Sequence, residues 1–166
     1  MLMVVFHLGD ERYAVSANCV IEIVPSVALK VVPHVPAYVA GLFNYRTHVT
    51  PVIDLCQLAL NRACRPLLSS RILLIDYDRV TGRPSDGQRR ILGLLAERVT
   101  ETCTRPANAA VPPVTVAKAP YLGEIFYTGT EMNQCVELSA LLPASVRDML
   151  FAECTASDAS LTRTRN

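Results

Sequence analysis

Histidines, cysteines and a few arginines near predicted turns are the residues of this 166-residue chain whose types suit chemistry. His7, His34 and His48 lie far apart, and none has the i, i+4 partner that a helical metal site uses. Cys19, Cys56, Cys64, Cys103, Cys135 and Cys154 are scattered singly, with no pair at the two-residue spacing of zinc or redox motifs. They read as reduced thiols, mostly small core residues, and no metal ligand set is expected. The glycine-bearing stretch Gly82 to Gly87 lacks the Gly-Lys-Ser/Thr ending that brings a lysine to phosphates. No serine sits in a Gly-x-Ser-x-Gly elbow, and no cysteine has a local setting that lowers its pKa. Phosphotransfer modules carry their histidine on a long bundle helix, and none of the three histidines sits in such a pattern. Neither catalytic residues nor a cofactor are therefore expected.

One group remains, Arg46 with Asn44 and Tyr45 beside it. Arg46 is either a solvated loop arginine, as most such residues are, or a guanidinium fork displayed to a partner's carboxylate or carbonyls. Composition does not decide between the two.

The elements that position Arg46 are short apolar runs cut by turn residues. Met3 to Leu8 and Arg12 to Ser16 flank Gly9-Asp10-Glu11 and predict a hairpin. Asn18 is expected to cap a short helix through about Glu22, stopped by Pro25, with Glu22 on its exposed edge. Tyr38 to Phe43 and Val49 to Leu55 form a second hairpin, with Asn44-Tyr45-Arg46-Thr47 at its tip. Asp54 caps a segment from Leu55 to Leu60, and Asn61 to Ser70 is a polar connector. Further strands are predicted over Arg71 to Asp78 and Arg90 to Val99, with Arg79 to Arg89 as the exposed loop between them. Thr104 to Pro120 reads as a crossover or surface loop.

Sliding the chain against itself gives a partial repeat. Tyr38 matches Tyr121, Leu42-Phe43 matches Ile125-Phe126, and Ile53-Asp54-Leu55 with Leu58 matches Val136-Glu137-Leu138 with Leu141, all offset by 83. Val20-Ile21-Glu22 matches Val99-Thr100-Glu101 at an offset of 79. Either β-rich segments resemble one another by chance, or the chain holds two similar small barrels, about residues 1–65 and 71–145, with a groove between them for a partner.

Composition bounds the partners. At 51% apolar content the chain can bury one continuous core, and 16 basic against 15 acidic residues leave a formal charge of only +1. Such a balance gives no uniform field for a nucleic-acid backbone or an anionic membrane. The opening residues carry no basic leader, and no stretch approaches the roughly 20 apolar residues of a membrane span. A cytoplasmic protein without membrane insertion is expected. Residues 153–166 have almost nothing to bury and are expected to be disordered beyond a folded unit of residues 1–152.

The series Val5-Phe6-His7-Leu8-Gly9-Asp10-Glu11-Arg12-Tyr13-Ala14-Val15, then Val20-Ile21-Glu22-Ile23, then Pro36-Ala37-Tyr38-Val39-Ala40-Gly41-Leu42-Phe43-Asn44-Tyr45-Arg46, then Pro51-Val52-Ile53-Asp54-Leu55, resembles the CheW family of chemotaxis coupling proteins. The match is dense over residues 4–60 and looser to about residue 152. The resemblance implies an all-β fold of two intertwined five-stranded SH3-like barrels with short helical turns. It implies a scaffold, not an enzyme, coupling the regulatory domain of a CheA-type histidine kinase to the cytoplasmic tip of a methyl-accepting chemoreceptor. Val20, Glu22, Asn44 and Arg46 then fall on the receptor-facing side, while the kinase contacts are not assigned to residues. The family usually has Arg-Gly at the tip, and Thr47 in place of glycine implies a different turn or a roomier partner surface. Leu-Leu-Pro-Ala-Ser-Val-Arg-Asp-Met-Leu-Phe near the end is similar to WspB-type couplers of Wsp surface-sensing systems, whose output is a diguanylate cyclase making cyclic-di-GMP. The competing reading is a β module that senses a small ligand in its groove.

Overall fold

β1 (Leu2–Leu8) is apolar at almost every position because it lies in the interior of its sheet, between β2 (Glu11–Ser16) and β7 (Ile91–Thr104). Its side chains alternate between two cores: Val4, Phe6 and Leu8 enter the main one, whereas Met3 and Val5 enter a smaller one. The structure, a computed structural model, describes residues 1–83, 87–108, 110–114 and 116–152. The expected disorder of residues 153–166, and part of the loop between Arg79 and Arg89, lie outside the described residues.

The described residues form nine strands, interspersed with short helices. β3 (Val20–Pro25), β4 (Val39–Tyr45), β5 (His48–Asp54) and β6 (Arg71–Asp76) join the first half of β7 in one five-stranded sheet. The second half of β7 joins β1, β2, β8 (Leu122–Thr128) and β9 (Glu131–Val136) in the other. Neither sheet is built from one half of the sequence, so the halves 1–65 and 71–145 interleave rather than form separate units. Among the described strands, β7 alone belongs to both sheets.

The offsets in the sequence are carried by hydrogen bonds. Asp54 N donates to the Tyr38 carbonyl and Glu137 N to the Tyr121 carbonyl, each at 2.7 Å. Lys30 pairs with Leu42 as Val111 pairs with Ile125. The two smaller cores correspond as well: Ile72, Leu74, Phe43, Val52 and Val24 on one side match Met3, Val5, Phe126, Cys135 and Cys103 on the other. Gly41 makes the first of these crossings passable. It holds φ at +147°, and a Cβ there would lie 2.5 Å from the Lys30 carbonyl oxygen.

Three local expectations are corrected. Residues 17–19 form a single 3-10 turn, and Val20–Pro25 is a strand rather than a helix capped by Asn18. The β-branched run of Val20, Ile21, Ile23 and Val24 suits a strand, and β6 offers an edge to pair with. The strand from Arg71 stops at Asp76, whose side chain accepts from Arg79 N at 3.1 Å and caps α2 (Tyr77–Thr81). β7 runs five residues past Val99, to Thr104. By contrast, Asp54 caps α1 (Leu55–Leu60) as its position predicted, accepting from Gln57 N at 3.0 Å. A last helix, α3 (Ala144–Leu150), is followed by Phe151, which stacks on buried Tyr77 with ring centroids 4.9 Å apart.

β7 changes partners at a buried carboxylate. Glu97 is 0% exposed, and Arg98 beside it sits at φ 45° in a bulge that separates the pairings His7·Glu97 and Val5·Glu101. Arg62 Nη1 donates to Glu97 Oε1 at 2.8 Å, Arg65 N to the same oxygen at 2.7 Å, and Arg65 Nη2 to Oε2 at 3.0 Å. The connector adds Val99 N to the Ser69 carbonyl at 3.0 Å. Burial on its own would raise the Glu97 pKa, but the hydrogen bonds from Arg62 and Arg65 outweigh it and hold the carboxyl well below its ordinary 4.5.

Glu97→Gln removes the charge while keeping the shape. It is expected to lower stability by about 2 kcal/mol, less than the roughly 3–5 kcal/mol of a fully buried pair because both guanidiniums reach solvent. A carboxyl held below its unfolded pKa stabilises above that value and loses its contribution as pH falls. Urea midpoints should therefore drop more steeply on acidification in the parent than in Glu97→Gln; parallel pH profiles would contradict the clamp.

Candidate functional site

The β4–β5 hairpin closes through two residues, because Tyr45 pairs with His48 and leaves Arg46 and Thr47 at the tip. Both hold positive φ, 43° and 72°, as a primed turn requires if its twist is to match the strands. Thr47 thus enters the left-handed region that glycine would occupy freely, and its branched Cβ carries the strain. The tip is further tied by His48 Nδ1, 3.1 Å from the Arg46 carbonyl, and by Thr50 Oγ1 donating to the His48 carbonyl at 3.2 Å.

Glu22 meets this tip from β3. A register shift between Val20 and Glu22 lets Ile21 and Val24 enter the same small core, one that Phe43 and Tyr45 also line. Glu22 Oε2 accepts from the Tyr45 hydroxyl and from Arg46 Nη2, the latter at 3.3 Å. The Arg46 guanidinium carbon lies 5.2 Å from the Tyr45 ring centroid, within cation–π reach. The bond to Glu22 foremost, with desolvation next, pushes the Tyr45 phenol above its ordinary 10. The Arg46 side chain is 75% exposed and that of Glu22 41%, so their ion pair orients more than it stabilises.

Of the four residues singled out in the sequence, the structure brings Glu22 and Arg46 together. Asn44, two residues before Arg46, lies on the outer face of β4 opposite Val49, and both are exposed. Val20 does not join them: it is half-buried and packs against the main core instead. Tyr45, noted in the sequence only as a neighbour of Arg46 and not placed on the receptor-facing side, is the residue that links Glu22 and Arg46. Its signal was available in strand alternation, which puts Tyr45 on the face of Phe43 while Asn44 points away.

A second juxtaposition was invisible in the spacing. One oxygen of Asp54 and the sulfurs of Cys56 and Cys64 lie within 4.8 Å of one another. All five described cysteines are free. Among the described residues, no helix is long and apolar enough to cross a membrane.

The CheW-like domain family matches residues 2–146. The chemotaxis protein CheW of Rhizobium meliloti (strain 1021) is 24% identical over 149 residues, covering 88% of this chain and 90% of that protein. CheW of Treponema pallidum (strain Nichols) is 42% identical over a shorter stretch of 53 residues, 32% of this chain and 31% of its own. The crystal structure of the scaffolding protein TtCheW from Thermoanaerobacter tengcongensis superposes with a TM-score of 0.74 at 26% identity, over 90% of this chain and 92% of that one. With a match that runs through both sheets and every strand, this chain belongs to the CheW-like domain family.

Proposed function

We propose that the protein is a cytoplasmic coupling scaffold, joining the regulatory domain of a CheA-type histidine kinase to the cytoplasmic tip of methyl-accepting chemoreceptors. The observation that carries the reading is the whole-length likeness to a scaffolding protein, spanning 90% of this chain. The protein is not an enzyme, and coupling needs no reactive group: it needs two surfaces on one rigid body. Interleaved sheets sharing β7 supply the body. Glu22, Tyr45 and Arg46 supply a polar edge suited to fixing the register of a receptor hairpin, with Asn44 beside them. Val20 belongs to this surface only through its half-exposed edge, and its larger role is in the core.

The small-ligand reading has less support. Two clefts, of about 500 and 360 Å3, are open and rimmed by ion pairs, Arg105 with Glu124 in one and Arg89 with Asp76 in the other. Enclosed apolar walls of the kind that bury a small molecule are not what lines them.

Arg46→Glu reverses an exposed charge and sets it against Glu22. The fold should survive, with an unchanged circular dichroism spectrum, while recovery of a receptor-tip fragment in a pull-down falls at least several-fold; unchanged recovery would remove Arg46 from the receptor surface. Thr47→Gly relieves left-handed strain at the cost of glycine's backbone entropy, for a net gain of about 1 kcal/mol. A lower urea midpoint in this variant would contradict the strain.

A narrower form of the proposal places the scaffold in a Wsp-type surface-sensing array, on the similarity of the segment from Leu141 to Phe151. Deleting the gene should then abolish the surface-dependent rise in cyclic-di-GMP and leave swimming intact; loss of swimming with a normal rise would assign it to flagellar chemotaxis.

A further inference from the structure

Asp54, Cys56 and Cys64 come from three pieces of the chain: the end of β5, the first turn of α1 and the connector after it. Cys56 is 0% exposed and Asp54 6%, while Cys64 is half-buried and opens the cluster to solvent. The carboxylate is fixed in place. Its Oδ1 accepts from Gln57 N at 3.0 Å, and Cys64 N is shared between Oδ2 at 3.0 Å and Oδ1 at 3.3 Å. A carboxylate offers about four lone-pair positions, so Oδ2 keeps one to spare. The same bonds hold the Cys64 backbone against Asp54 and bring its sulfur to the Cys56 sulfur, with Cys64 Sγ 3.4 Å from the Leu95 carbonyl oxygen.

We propose that Asp54, Cys56 and Cys64 bind a thiophilic divalent cation of the zinc class through one carboxylate oxygen and two sulfurs, with solvent in the fourth position. Sulfur donors select against magnesium and calcium, which take oxygen ligands. Two sulfurs and one carboxylate oxygen are three protein donors, the number that an open tetrahedral zinc site takes from a protein while leaving its fourth position to solvent. The charge also balances. Two thiolates and a carboxylate around a divalent cation leave one net negative charge, and Cys64 lies between Arg62 and Arg65, whose cluster with Glu97 carries one net positive charge. The bound ion ties α1 and β5 to the connector that clamps β7, so loading the site stabilises the join between the two sheets.

Cobalt(II) serves as the spectroscopic probe for the reduced full chain. One equivalent should give sulfur-to-cobalt charge-transfer absorption, bleached by added zinc. The absorption should be lost in Cys64→Ser and in Cys56→Ser, and kept in Cys19→Ser and Cys103→Ser. Zinc should raise the Tm of the parent and leave that of Cys64→Ser unmoved, and Cys64, being half-exposed, is the position whose variant folds most readily. No charge-transfer absorption from the reduced, folded parent would overturn the site. So would absorption that persists in a Cys56→Ser, Cys64→Ser double variant, or a protein blank to cobalt when reduced that forms a Cys56–Cys64 disulfide in air.

Discussion

A strand that serves two sheets must change partners somewhere, and at that point its backbone loses a regular ladder. β7 makes the change at Glu97 and Arg98, where the bulge opens and the chain turns from β6 and β5 toward β1. A carboxylate with no solvent exposure is tolerable there only because two guanidiniums and a backbone N–H complete its hydrogen bonds. The connector from Asn61 to Ser70 is consequently a brace, not a spacer. Both sheets, and the surfaces they present, depend on this one join being rigid.

Rigidity at the join gives meaning to the hairpin tip. Glu22 comes from β3 and Arg46 from the β4–β5 turn, two segments with no ladder contact, and Tyr45 links them through one hydroxyl and one aromatic face. The exposed ion pair of Arg46 with Glu22 contributes little stability. The effect of these contacts is to hold a guanidinium in one direction, as the proposed receptor surface would need and a flexible loop cannot supply. Thr47 fits the same logic, since a strained but tightly bonded turn has fewer alternatives than a relaxed glycine tip.

Much of this was legible in the sequence where the signals are local. Turn residues between apolar runs mark β1–β2 and β4–β5, Asp54 marks the start of α1, and the matched Tyr38 and Tyr121 mark hydrogen bonds that recur at the same offset. Signals that depend on distant partners were not legible. Val20 to Pro25 becomes a strand because β6 offers an edge, and Asp76 ends β6 because the chain there turns into a capped helix. Glu97 is unremarkable within its apolar run, and its arginines lie over thirty residues earlier. Cys56 and Cys64 lack the two-residue spacing of common zinc motifs, and the turn after α1 brings them together. Interleaving of the halves is a property of pairing, which the offsets do not reveal and which only the family resemblance implied.

Coupling, as opposed to binding either partner, requires that both surfaces be occupied together. The most direct measurement mixes the protein with the regulatory domain of a CheA-type kinase and a receptor-tip fragment, the partners proposed for it, and follows the mixture by sedimentation velocity. The scaffold account predicts one species containing all three components, at a receptor affinity not reduced by the kinase domain. Two binary complexes that exclude each other, or a protein that binds only one of the two, would contradict it.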